Sequence, residues 1–102
     1  METSTYKVGI EQRPLAQGAG TNNIINVYSD RIELRTGWQS ENIVSLRLKQ
    51  VANVTLRGMI NCTLTLEIND GRRLNVERMA LPDARQVKAT IESQKQRAGL
   101  YE

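Results

Sequence analysis

Apolar and polar positions alternate with a period of two over most of the chain. That spacing turns one face of a strand to a core and the other to solvent. The clearest run is 63–69, where Leu64, Leu66 and Ile68 oppose Thr63, Thr65 and Glu67. Asp70-Gly71 follows, a dipeptide that favours the two-residue type I′ turn, whose central residues take positive φ. Beyond it Leu74 and Val76 fall on the inward face and Arg73, Asn75 and Glu77 on the outward one, so a hairpin is predicted here.

An earlier hairpin is predicted from the β-branched and aromatic run 24–28, the turn pair Ser29-Asp30, and the alternation of 31–36, with Ile32 and Leu34 facing in. Gly37 ends it, and 38–42 form a connection. Residues 43–48 and 53–57 also alternate. The stretch Lys49-Gln50-Val51-Ala52 between them has room for a bulge or a corner, and the pattern leaves open whether this is one bent strand or two. At the start, Tyr6, Val8 and Ile10 predict a short strand, and the Pro-, Gly- and Asn-rich stretch 13–23 predicts a loop or link.

The period changes after Leu81-Pro82. Asp83-x-x-Gln86 has the spacing of a capping box, and Ala84, Val87, Ile91 and Ala98 recur at helical intervals. Arg85, Gln86, Lys88, Glu92 and Lys95 cover the other faces. The reading is an amphipathic helix over about 83–97, with Gly99 as its C-terminal cap.

No strand–helix–strand alternation occurs, which argues against a parallel α/β sheet. One-sided strands must close their apolar faces over each other, and a small barrel or orthogonal sandwich plugged by the helix does this. The predicted class is mainly β: two near-orthogonal antiparallel sheets capped by one C-terminal helix. The expected organisation is an N-terminal strand and loop over 1–23, then a β domain over 24–98.

At 102 residues the chain has one domain's length. It holds no apolar run of the roughly 18 residues that a membrane-spanning helix needs. Its N-terminus lacks a signal-like apolar stretch, and Cys62 is its only cysteine, so the expected location is cytoplasmic. Charge is uneven. Residues 1–70 carry seven basic and seven acidic side chains. Residues 71–97 carry seven basic and three acidic ones, a net of +4, which Glu102 reduces to +3 for the chain. Such an excess either attracts phosphate-rich or acidic lipid surfaces, peripheral to a membrane, or simply solvates one face.

The run 27–35 (VYSDRIELR), then 43–54, then Leu64-x-Leu66-x-Ile68-x-Asp70-Gly71-Arg72, then Asp83-Ala84-Arg85-x-Val87-x-x-x-Ile91 resembles a bacterial pleckstrin-homology-like domain. The resemblance covers about 24–97 and rests on element order and hairpin placement. It implies two near-orthogonal sheets with a capping helix. It also implies scaffolding, oligomerisation or docking to proteins or lipid heads, rather than enzymatic activity. One departure bears on ligands: inositol-phosphate-binding relatives carry a basic row in the first hairpin, and here Glu33 interrupts Arg31-x-Glu33-x-Arg35.

The chemistry of the chain points the same way. It contains no histidine, the commonest general base and metal ligand. No ligand spacing for a metal appears, and no cofactor is expected. Cys62 reads as a small buried or edge residue. Glu33, Glu67 and Glu77 read as cross-strand partners of Arg31, Arg35 or Arg73. Trp38 is the only tryptophan, placed either against the core edge or as an exposed anchor of the kind found at interfaces.

The expected function is non-enzymatic: protein–protein binding or self-assembly, with a homo-oligomer as one form. The alternative is peripheral binding of acidic lipid or another phosphate-rich surface through 72–88. Nucleic-acid binding ranks below both, because four aromatics provide no stacking platform. No small-molecule substrate is inferred. The candidate partner- or anion-binding residues are Trp38, Arg72, Arg73, Arg78, Arg85 and Lys88.

Overall fold

The computed structural model describes residues 13–37 and 42–99. The first sheet is an antiparallel meander of β1 (Ala16–Ala19), β2 (Asn23–Val27), β3 (Arg31–Thr36) and β4 (Asn42–Arg47), in that order. A single 3₁₀ turn, Leu48–Gln50, carries the chain into the second sheet, β5 (Val51–Arg57), β6 (Asn61–Ile68) and β7 (Arg73–Ala80). Helix α1 (Leu81–Arg97) follows β7 directly and packs on strands of both sheets. The described part is thus mainly β, two packed antiparallel sheets with one C-terminal helix. The strand expected around Tyr6, Val8 and Ile10 lies outside the described residues.

The alternating faces meet in one core. In the first sheet Ile25 pairs with Leu34, Val27 with Ile32, and Ile32 with Leu46. In the second, Val54 pairs with Leu66 and Leu64 with Val76. These side chains are all buried, and Val87 and Ile91 of the helix close over them. Burying each such side chain contributes about 1.5–3 kcal/mol.

The stretch 43–57 is two strands: Lys49-Gln50 forms the corner between sheets, and the register slips by one residue just after it, between Val51 and Asn53, so the stretch holds both a corner and a bulge. The corner is tied at several points. The Arg47 N–H donates to Gln50 Oε1 at 2.8 Å, the Asn69 side-chain amide to the Lys49 carbonyl at 2.6 Å, and the Asn69 N–H to the Gln50 carbonyl at 2.9 Å.

Those bonds draw Asn69 into the β6–β7 turn, and the turn differs from the expected type I′ loop. The Ile68 N–H donates to the Arg72 carbonyl at 2.8 Å and the Gly71 N–H to the Ile68 carbonyl at 2.9 Å. Gly71 has φ +95°, whereas Asp70 does not enter the left-handed region. The connection is therefore a three-residue loop, Asn69-Asp70-Gly71, closed by a left-handed glycine.

A strand, β1, runs through the stretch expected as a loop. Its sequence Ala-Gln-Gly-Ala has poor intrinsic strand preference, but small residues are what its position needs. A Cβ on Gly18 would lie 2.3 Å from Met79 Cε and 3.3 Å from Val87 Cγ2, and one on Gly20 would lie 2.3 Å from the Glu77 carbonyl oxygen. Beside that approach the Thr21 N–H donates to the same Glu77 carbonyl at 2.8 Å, joining the β1–β2 turn to β7.

The helix begins at Leu81 rather than Asp83. Its N-cap is Ala80, which makes no side-chain capping bond, and Pro82 occupies the first turn, where a missing N–H costs nothing. Asp83 is inside the helix and closes no capping box, though its charge suits the first turn. Gly99 takes φ +72° just past the end, in keeping with its expected capping position. Ala98 is exposed, and Lys95, expected on a solvent face, completes the inward stripe of Ala84, Val87 and Ile91.

Candidate interaction surfaces

The fold separates the basic residues of 72–88 along β7 and the helix. Arg72 lies in the β6–β7 turn and bonds Asp70 at 2.8 Å, while Asp70 also accepts the Arg72 N–H at 3.0 Å. Those bonds, the backbone one first, hold the Asp70 carboxyl below its ordinary pKa. Arg73 opens β7 opposite Glu67 and approaches it at 3.6 Å. Lys88 pairs with Glu92 one helical turn away at 2.8 Å. Exposed pairs of this kind contribute about 0–1 kcal/mol.

Arg78 stands five residues beyond Arg73, about 16 Å along an extended strand. Among the described residues no ion pair involves Arg78 or Arg85. The five described candidate residues are therefore not gathered at one point: Arg72 and Arg73 mark one end of β7, Arg78 the other, and Arg85 and Lys88 the helix. Trp38 lies outside the described residues.

Arg78 has φ +62°, in the left-handed region, where a non-glycine residue is uncommon. The register explains it. Cys62 pairs with Met79 and Leu64 with Val76, so Glu77 and Arg78 together face the single residue Thr63. This β-bulge lets Val76 and Met79 both reach the core although they are three positions apart.

A second basic region comes from pairing that spacing alone does not reveal. Arg31 and Arg47 are register partners across β3 and β4. Like charges placed directly opposite repel. Arg31 is steadied by Asp30 at 3.0 Å, Glu33 at 3.2 Å and the Tyr28 ring, whose centroid is 4.1 Å from its guanidinium carbon. Burial works against the Arg31 charge, but the bonds to Glu33 and Asp30 outweigh it and raise the pKa. Glu33 also approaches Arg35 at 3.5 Å, so it pairs with arginines two positions away on its own strand and not across strands as expected; Glu67 with Arg73 is the cross-strand pair. Arg31, Arg47 and Lys49 line an open depression between the β2–β3 turn, the corner and the helix end at Ala98.

On the inner face of the helix Lys95 is 3% exposed. Its ammonium donates to the Leu48 carbonyl at 3.3 Å and to the Val51 carbonyl, fastening the helix to the corner. Desolvation lowers its pKa.

Apolar exposure is concentrated at a few points. Ile43 on β4 is 53% exposed, and Met59 and Ile60 at the β5–β6 tip are 83% and 84% exposed. Among the described residues β4 and β5 each pair on one side only, as do β1 and β7 at the other ends of the two sheets. Cys62 is buried, with its thiol 3.5 Å from the Gly58 carbonyl. No group of three or more His, Cys, Asp or Glu residues among those described is arranged to hold a metal. No described helix is long and apolar enough to cross a membrane. No protein-family model matches the chain, and no curated protein is significantly similar to it.

Proposed function

We propose that the chain is a non-enzymatic interaction module of the pleckstrin-homology-like kind, which binds protein by strand addition and assembles with a second copy of itself. The family reading is supported by the order of four strands, three strands and a helix. The observation that carries the functional reading is the β4 edge. It pairs only with β3 among the described residues, and it presents Ile43, half exposed, beside backbone groups that no other described strand pairs. Natural edges are usually blunted by charge, proline or a bulge. Within β4 only Arg47, at one end, serves that purpose.

Strand addition gives affinity through main-chain hydrogen bonds and specificity through alternate side chains. It needs no histidine or reactive thiol, in keeping with a chain that has no histidine and whose one cysteine is buried. Light scattering after size exclusion, at low and high salt, tests the reading. The expected result is a defined oligomer that persists in high salt and is lost in Ile43→Lys. A monomer under every condition would contradict self-assembly.

A further inference from the structure

We infer that the Asp70–Gly71 bond is the site at which this chain ages, by closing to a succinimide that reopens as isoaspartate, and that Arg72 is a positioning residue that slows the closure. In the sequence Asp70 is the only aspartate or asparagine followed by glycine. A glycine nitrogen has no side chain beside it to hinder its attack, and nothing lies within 4 Å of the place a Gly71 Cβ would take. Both residues are exposed, in the loop that joins β6 to β7.

The reaction needs no co-reactant but water. The Gly71 nitrogen bonds to Asp70 Cγ and the Cγ–OH bond breaks. The amide proton leaves with that hydroxyl as water. A second water then opens the ring at either carbonyl. Opening at one restores aspartate. Opening at the other routes the main chain through Cγ and adds a methylene to the backbone.

The folded loop opposes both halves of the closure. On the nucleophile's side, the Gly71 N–H donates to the Ile68 carbonyl at 2.9 Å, a bond that breaks when the nitrogen gives up its proton. On the other side, Asp70 Oδ1 accepts the Arg72 backbone N–H at 3.0 Å and Oδ2 accepts Arg72 Nε at 2.8 Å. Both bonds favour the ionised carboxyl, whose pKa is lowered accordingly. A carboxylate does not expel oxide, and only the protonated group loses water, so Arg72 holds Asp70 in its unreactive form. Both side chains are about half exposed, so the pair slows the reaction without stopping it. The Arg72 guanidinium, which the basic excess of 72–88 would offer to an external anion, thus has a use within its own loop.

The loop at risk is one the fold depends on. The Ile68 N–H closes it on the Arg72 carbonyl at 2.8 Å, and Asn69 ties it to the Lys49 and Gln50 carbonyls of the corner. An added backbone atom between residues 70 and 71 lengthens a loop held at both ends. A modified chain therefore loosens at this hairpin and at the corner.

Incubation of the full chain in mildly acidic buffer, with isoaspartate mapped by peptide mass spectrometry, tests this inference. Folded wild type should form isoaspartate at residue 70 several-fold more slowly than wild type in urea. Arg72→Ala should form it at least about threefold faster than wild type when folded. In urea the two chains should react at one rate, which separates lost protection from altered intrinsic reactivity. Rates read well below each thermal midpoint keep global unfolding out of the comparison. Folded wild type that ages as fast as in urea would overturn the inference. So would a folded Arg72→Ala chain that ages no faster than wild type, or isoaspartate that first accumulates at another residue.

Discussion

Gly20 marks a close approach of the β1–β2 turn to β7, and it is glycine because backbone, not a movable side chain, stands in the way. A Cβ there would meet the Glu77 carbonyl oxygen at 2.3 Å and Val76 Cγ1 at 2.8 Å. Gly20→Ala should therefore destabilise the fold by about 1–3 kcal/mol, as overpacking does, read as a lower urea midpoint at unchanged slope. Arg78 presents the opposite case. Its left-handed backbone is strained for any residue with a Cβ, and its side chain is exposed. Arg78→Gly should raise stability by up to about 1 kcal/mol, with a higher midpoint as the readout. Lys95 combines burial with charge. Lys95→Met keeps the aliphatic stem but leaves the Leu48 and Val51 carbonyls without their donor, at a cost of about 1–3 kcal/mol. The folded-state pKa lies below the unfolded value, so the unfolded chain binds more protons between the two. Wild-type stability from this group therefore rises as pH climbs through the folded pKa towards about 10.4. The gap between wild type and Lys95→Met should widen from neutral pH towards that value, as measured by denaturant melts at several pH values.

At the scale of elements, how much the chain reveals depends on how strongly each segment's own pattern matches its place. β6 alternates cleanly because one face of it lies on the core, whereas β7 keeps the period only up to the bulge at Glu77 and Arg78. β1 has no such signal: its Ala-Gln-Gly-Ala composition is chosen by the nearness of Met79 and the helix, residues some sixty positions away. The helix shows the same split. Its apolar spacing is readable, but its start is set by the chain leaving β7 at Ala80 with Pro82 in the first turn, and the capping-box spacing of Asp83 and Gln86 is coincidental. Asp70-Gly71 points to a two-residue β6–β7 turn, but Asn69 bonds to the corner instead of pairing with Arg72, and the loop has three residues. Gly71 has open space around its missing Cβ, so Gly71→Ala is a test of backbone conformation alone. It should cost about 1 kcal/mol, seen as a lowered thermal midpoint with no change in the folded spectrum.

At the scale of the molecule, the core and the mainly β class follow from patterning, whereas the surfaces do not. The basic excess of 72–88 is plain in the sequence, yet the length of β7 distributes it over separate ends of the fold. The Arg31–Arg47 juxtaposition depends on register, and register is a property of the paired strands rather than of either one. The exposure of Ile43, Met59 and Ile60 follows from where the edge and the tip fall, so an apolar count along the chain cannot separate them from core residues. The open β4 edge is the feature on which the functional account turns. The most direct test is light scattering of wild type and Ile43→Lys over a range of concentration and salt. Wild type should form a salt-resistant oligomer and Ile43→Lys a monomer. A wild-type chain that stays monomeric throughout, or an oligomer unaffected by Ile43→Lys, would contradict it.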